Sequence, residues 1–183
     1  MQKRLGFLID LGKCVGCKSC EIACMNEHQF SRTRYRRVLN IGPGNQVFEF
    51  LSLSCNHCLN PECIRVCTER CYKKRRDGIV LNDSTRCNGC QRCEGACPFS
   101  VPKMNPQTKK VSKCNFCSEL IDQGLEPACV SVCIVGALRV VNLMQPLPFG
   151  SQQTLPNFPM IQFTKPSIRF LLPKNPICFG RIS

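Results

Sequence analysis

The stretch Cys14-Val15-Gly16-Cys17-Lys18-Ser19-Cys20-Glu21-Ile22-Ala23-Cys24 decides how the rest of the chain is read. Its gaps of two, two and three residues recur at Cys87, Cys90, Cys93 and Cys97, there followed by Pro98. A second run, Cys55, Cys58, Cys63 and Cys67, has gaps of two, four and three; the last, Cys114, Cys117, Cys129 and Cys133, has gaps of two, eleven and three. Of 18 cysteines only Cys71 and Cys178 fall outside these runs.

Spacing separates three chemistries. The two-two-three run is the bacterial ferredoxin spacing, in which the fourth Cys serves a neighbouring cluster. Two-residue gaps let a loop wrap one face of a cubane and present three thiolates. The fourth Cys lies four residues on, about 6 Å along a helix, and reaches the next cube instead. All four runs end in the three-residue gap, so each divides three plus one. Sixteen thiolates, at about four per cluster, imply four [4Fe-4S] clusters. Zinc would want paired Cys-x2-Cys or Cys/His sets; only the last run resembles that, and His28 and His57 supply no such set. A disulfide scaffold belongs to short secreted chains. The segment from Met1 to Asp10 reads as no secretory signal, lacking a small-residue cleavage site, and disulfides do not explain four identical terminal gaps.

Composition agrees. Of 183 residues, 43% are apolar by a count that includes the 18 Cys. What remains is thin for a self-sufficient core, so inorganic groups are expected to help hold the fold. No window approaches a membrane-spanning apolar run. The formal charge of +13 treats thiols as neutral; at about −2 for each oxidised cluster with its thiolates, four sites bring the total to about +5. The basic excess is then largely counter-charge, and nucleic-acid binding loses its support. There is no nucleotide-binding Gly loop, hydrolytic triad or paired acid–base carboxylate. Every chemical feature belongs to one-electron transport, not catalysis.

A three-plus-one split demands reciprocity between runs. Tandem pairing (first with second, third with fourth) and nested pairing (first with fourth, second with third) both satisfy it, and spacing does not choose. The run from Cys55 to Cys67 with its Asn56-His57 and Asn60-Pro61-Glu62, the following Asp77-Gly78-Ile79-Val80, and Cys114-Asn115-Phe116-Cys117 with its long gap to Cys129 resemble one family. It is the four-cluster iron–sulfur subunits of molybdopterin oxidoreductases, of the dimethyl sulfoxide reductase type, and the resemblance spans about Leu5 to Val141. It implies nested pairing. One cube would take Cys14, Cys17, Cys20 and Cys133, and its neighbour Cys24, Cys114, Cys117 and Cys129. A third would take Cys55, Cys58, Cys63 and Cys97, and a fourth Cys67, Cys87, Cys90 and Cys93. The family often has Pro after the last Cys of a run, where this chain has Thr68 and Ile134. Nitrate reductase relatives lack the Cys matching Cys90 and lose an iron there; Cys90 is present here, so full cubes are expected.

The expected fold is α+β: two nested ferredoxin-like units. Residues 1–54 and 98–141 form the outer unit, residues 55–97 the inserted one. Strands are expected at Leu5–Ile9, Val47–Leu53, Tyr72–Arg75, Ile79–Leu81 and Leu138–Val141, the middle pair joined at Asp77-Gly78. One or two helical turns should follow each third Cys. Residues 142–183 hold seven of 13 prolines, which forbids an ordinary helix or central strand. Phe149, Phe158, Ile161, Phe163, Ile168, Phe170, Leu171 and Leu172 make this segment too apolar for a solvated linker, and it reads as an extended arm against a partner or the chain's own surface. Two basic stretches, Arg32 to Arg37 and Lys73 to Arg76, read as solvated loops or as docking for an acidic partner. His57 reads as a donor tuning the cluster of its own run, or as a loop residue without a role. Cys71 and Cys178 read as spare thiols.

The resemblance implies an electron-transfer subunit working between a donor, with a quinol-linked membrane anchor as one candidate, and a molybdenum or tungsten pterin subunit. The alternatives are the same module in a hydrogenase or formate-lyase complex, and a free polyferredoxin. A membrane-peripheral complex is expected, cytoplasmic, or periplasmic if carried across by a partner with a twin-arginine signal.

Overall fold

The computed structural model describes residues 3–28, 34–41, 49–156, 158–159 and 162–173. Val47, Phe48, Ile161, Cys178, Arg32 and Thr33 lie outside them. The apolar run Leu5–Asp10 forms β1, whose first five residues are buried. Leu138–Asn142 (β8) pairs with it antiparallel, Ile9 opposite Leu138. On its other side lies Ile168–Leu171 (β9), parallel, with Phe7 opposite Ile168. The sheet order β8-β1-β9 makes β9 an edge strand. It lies between Pro166 and Pro173, where a ladder can start and stop without losing donors.

Four helices share one placement. Ser19–Glu27 (α1), Glu62–Arg65 (α2), Arg92–Ala96 (α3) and Ala128–Ser131 (α5) each begin one residue before the third Cys of a run. Cys24 sits inside α1, whereas Cys67, Cys97 and Cys133 follow their shorter helices. Helix α1 packs on α5 and α2 on α3. Ser118–Asp122 (α4) follows Cys117 directly.

Among the described residues there are also three two-stranded ribbons. Arg37–Asn40 (β2) pairs with Phe50–Leu53 (β3), Tyr72–Lys74 (β4) with Val80–Asn82 (β5), and Lys103–Met104 (β6) with Val111–Ser112 (β7). The hairpin expected at Asp77-Gly78 is present, its first strand one residue shorter and its second displaced one residue onward, because Arg75 N–H bonds Ile79 O at 2.8 Å to close the turn. A larger apolar core gathers Leu5, Phe7, Ile9, Leu51, Phe116, Leu138, Ile168 and Phe170; a smaller one gathers Cys63, Cys71, Tyr72, Val80, Cys93 and Val111. Leu155, Ile168 and Phe170 come from the proline-rich segment, so its described part packs on the chain's own body. No described helix is long and apolar enough to cross a membrane.

Candidate metal centres

Each cysteine run folds its loop with residues at positive φ. In the first, Gly16 and Lys18 have φ 68° and 61°; in the third, Gly89 and Gln91 have 78° and 58°. His57, Phe116 and Cys117 play this part in the other two. Such turns point successive N–H groups into a concavity that suits anionic sulfur. The residue two after each run's first Cys donates its N–H to that sulfur: Gly89 to Cys87 Sγ and Phe116 to Cys114 Sγ, both at 3.4 Å, and likewise Gly16 to Cys14 and His57 to Cys55. At Gly89 a Cβ would sit 2.3 Å from Lys109 O. Beyond the run ends, Cys71 N–H donates to Cys67 Sγ at 3.3 Å and Leu138 N–H to Cys133 Sγ at 3.4 Å.

The sixteen cysteines of the runs gather in four places. Cys14, Cys17, Cys20 and Cys133 line one cavity with about 410 Å³ of atom-free space. Cys55, Cys58, Cys63 and Cys97 line a second of about 390 Å³. Cys67, Cys87, Cys90 and Cys93 line a third of about 310 Å³, with Cys71 also on its wall. Cys24 has Cys114, Cys129 and Cys117 as neighbours, with Arg36 beside it. All 17 described cysteines are free thiols.

These groups follow one another. The first and second share α1, which carries Cys20 and Cys24, and α5, which carries Cys129 and leads into Cys133. Cys114 of the second neighbours Cys55 of the third. Helices α2 and α3 join the third to the last, Cys63 lying near Cys93. Among the described cysteines only Cys17 and Cys90 are exposed, one at each end of the row.

Buried cations stand at the inner junctions. Arg36 is 2% exposed and lies among Cys129, Cys114, Cys20 and Cys24. Its Nη1 donates to Ser52 O and Oγ at 3.2 and 3.0 Å, its Nη2 to Ser54 Oγ at 2.8 Å, and its guanidinium stacks 4.6 Å over Phe7. Burial opposes its charge, yet the surrounding thiolates hold its pKa above the ordinary value. Lys113, also buried, donates to Cys114 O at 3.0 Å and to Val80 O and faces Cys55 and Cys63. Neither cation meets a carboxylate among the described residues. Burial, then Lys113, Arg36 and Lys74, push the His57 pKa well down, so its ring is neutral. Its Nδ1 accepts from Val80 N–H at 3.0 Å, which leaves the proton on Nε2, 3.9 Å from Cys114 Sγ. His57 is therefore no loop bystander, and the sulfur it faces belongs to the last run and not to its own.

The donor set suits an inorganic core wider than one ion. Among the described residues no three His, Cys, Asp or Glu side chains converge as a single metal ion requires. Burial pushes the thiols of Cys58, Cys63 and Cys117 up to about 12 and Cys24 up as well. Gathered thiolates are thus unfavourable unless something cationic lies between them. Buried polar groups also line the walls: the Thr164 hydroxyl meets Cys58 and the Tyr72 hydroxyl meets Cys93, while both amide atoms of Asn56 at the Cys55 cavity and Asn82 Nδ2 at the Cys67 cavity close no hydrogen bond among the described residues.

Sequence reasoning missed two contributions. The proline-rich segment covers the Cys55 loop: Leu59 and Asn60 N–H bond Lys165 O and Thr164 O at 2.9 and 3.0 Å, Ser167 N–H bonds Asn56 O at 2.8 Å, and Ser167 Oγ donates to His57 O at 2.9 Å. The basic stretches are also not uniformly solvated. Arg36 is buried, Lys74 donates to Cys58 O at 2.9 Å, and Arg75 pairs with Asp77 and Asp122 at 2.9 and 2.5 Å. Within Arg34 to Arg37, a single buried cation among exposed ones has no sequence signature.

Residues 46–143 match the 4Fe-4S dicluster domain family. The chain is 34% identical over 183 residues to YnfG, a probable anaerobic dimethyl sulfoxide reductase subunit of Escherichia coli (strain K12), covering 92% of this chain and 88% of that one. It is 34% identical over 181 residues to the B subunit of anaerobic dimethyl sulfoxide reductase from the same strain, with the same coverage. It is also 40% identical over 143 residues to the thiosulfate reductase electron transfer subunit PhsB of Salmonella typhi, covering 74% of each chain.

Proposed function

The chain belongs to the 4Fe-4S dicluster family, and we therefore propose that it holds four [4Fe-4S] clusters and carries single electrons through a respiratory complex. It is an electron-transfer iron–sulfur subunit of the molybdopterin-type anaerobic reductases and not their catalytic subunit. The proposed ligand sets are Cys14, Cys17, Cys20 and Cys133; Cys24, Cys114, Cys117 and Cys129; Cys55, Cys58, Cys63 and Cys97; and Cys67, Cys87, Cys90 and Cys93. The observation that carries this reading is that each of three cavities is lined by one whole set, while the fourth set surrounds Cys24. Two nested ferredoxin-like units, 1–54 with 98–141 and 55–97 between them, describe the same arrangement along the chain.

Bound clusters supply reversible one-electron oxidation and reduction. The chain's residues hold, insulate and polarise them. Loop N–H groups aim at the sulfurs, Arg36 and Lys113 offset negative charge where groups adjoin, and residues 164–167 keep water from the Cys55 loop. Cys17 and Cys90 mark the two ends at which a partner would approach. Proposed partners are a molybdenum or tungsten pterin catalytic subunit at one end and a membrane anchor at the other, in a membrane-peripheral complex. The relatives named for dimethyl sulfoxide and for thiosulfate share this chain type, so substrate choice is assigned to the catalytic partner.

The test is metal and sulfide analysis of the full chain purified without oxygen, with a spectroscopic redox titration. About 16 iron and 16 sulfide per chain, with four reducible centres, are expected. Zinc in place of iron, or fewer than four centres in a fully loaded chain, would overturn the assignment.

A further inference from the structure

The hairpin β4–β5 turns one face onto the cavity of Cys67, Cys87, Cys90 and Cys93. Tyr72 and Asn82 stand opposite each other in its register, so their side chains leave the same face, and both line that cavity. Tyr72 is 8% exposed. Its hydroxyl is shut off from solvent, with the Cys93 sulfur as its side-chain partner; the Asn82 Nδ2 amide, equally shut off, closes no hydrogen bond among the described residues. A donor buried without an acceptor has surrendered its water for nothing, and native folds rarely leave one so.

The acceptors on offer are sulfur. The Tyr72 hydroxyl faces Cys93. Cys67 and Cys87 are already served from other sides, Cys67 by Cys71 N–H at 3.3 Å and Cys87 by Gly89 and Val111 N–H at 3.4 and 3.3 Å. No unpartnered buried side chain lines the cavity of Cys14, Cys17, Cys20 and Cys133 among the described residues. There Ser52 Oγ lies 3.3 Å from Cys20 Sγ and the Ser19 side chain bonds Cys17, so hydroxyls meet sulfur at both ends, and the unspent buried amide of Asn82 is found at the Cys67 end.

Resting on the ligand assignment above, we propose that the Tyr72 hydroxyl, with the Asn82 amide beside it, donates hydrogen bonds to sulfurs of the cluster held by Cys67, Cys87, Cys90 and Cys93 and raises the reduction potential of that one centre. An added electron makes the site more negative, and a donor aimed at its sulfur stabilises the reduced form more than the oxidised one. The polypeptide thereby tunes that terminal centre without altering any ligand.

The test compares the full chain with its Tyr72→Phe variant, which keeps the ring and removes only the donor. Iron per chain is measured first, then each centre is titrated by electron paramagnetic resonance, and exchangeable protons coupled to the clusters are read after transfer to deuterium oxide. The variant is expected to keep its iron. One centre should shift several-fold toward the oxidised form, a tenfold shift being about 59 mV for one electron, and one exchangeable proton coupling should vanish. Asn82→Leu should move the same centre in the same direction, and it decides the matter if Tyr72→Phe loses its clusters. Unchanged potentials in an iron-replete variant, or a common shift of all four centres, would overturn the inference while leaving the ligand assignment intact. Too little iron in the parent chain would instead strike the assignment itself.

Discussion

Arg36 shows how one residue binds the chemistry to the fold. A guanidinium without a carboxylate partner is among the most costly groups to bury, yet Arg36 lies 2% exposed between Ser52, Ser54, the Phe7 ring and four cysteines of two adjoining groups. Its counter-charge is sulfur. Arg36→Gln should cost about 3–5 kcal/mol, because it leaves neighbouring thiolates without their cation. Iron should fall in the two groups that Arg36 touches, measured as iron per chain together with the thermal midpoint, while Arg36→Lys should recover part of both. Cys71 is the complementary case. It stands on the wall of the Cys67 cavity, 3% exposed, where its N–H donates to Cys67 Sγ and its thiol meets the Cys67 and Cys87 sulfurs, while four other cysteines already complete the proposed set. Cys71→Ala should therefore keep the full iron content while Cys90→Ala loses iron; the reverse result would exchange their roles.

At the scale of elements, the loops that present the thiols are set by backbone conformation more than by packing. Gly89 has φ 78° and its missing Cβ would meet Lys109 O at 2.3 Å, so a side chain there must push the ribbon β6–β7 away from the Cys87 loop. Gly124 has nearly the same φ, 77°, with nothing within 4 Å. Gly124→Ala should cost only the left-handed penalty, about 1–2 kcal/mol, and keep all clusters. Gly89→Ala should cost more and bleach one centre, read as loss of visible absorbance and of one signal in the titration. Equal behaviour of the two variants would show that the close approach to Lys109 is of no consequence. The proline-rich segment belongs to this scale too: its edge strand β9 and the bonds from residues 164–167 clamp the Cys55 loop from outside.

Across the whole molecule, gathered thiols make cluster binding a proton-releasing event. Burial holds the Cys58, Cys63 and Cys117 thiols up to about 12, above an ordinary value of 9.0. At any lower pH their protons compete with metal for sulfur, and each ligand must be a thiolate. Iron retained against a fixed chelator should therefore fall as pH is lowered from about 9 to about 6, with protons taken up as iron leaves; flat retention would contradict the proposed ligation. The kind of chemistry was legible in the sequence, because cysteine spacing is a local constraint: two-residue gaps wrap a loop, and the three-residue gap that ends each run sets the fourth Cys apart. So were β1, β8 and the hairpin at Asp77-Gly78, where apolar runs and a turn dipeptide act over a few residues. Which runs lie near one another was left to long-range packing. Pairing of Ile9 with Leu138 brings the strand before Cys14 beside the strand after Cys133, a contact between residues more than a hundred positions apart that no local pattern encodes. The same packing selected Arg36 from its basic stretch for burial, turned His57 toward Cys114, and folded the proline-rich segment over the Cys55 loop, since burial and charge balance depend on what the rest of the chain places nearby.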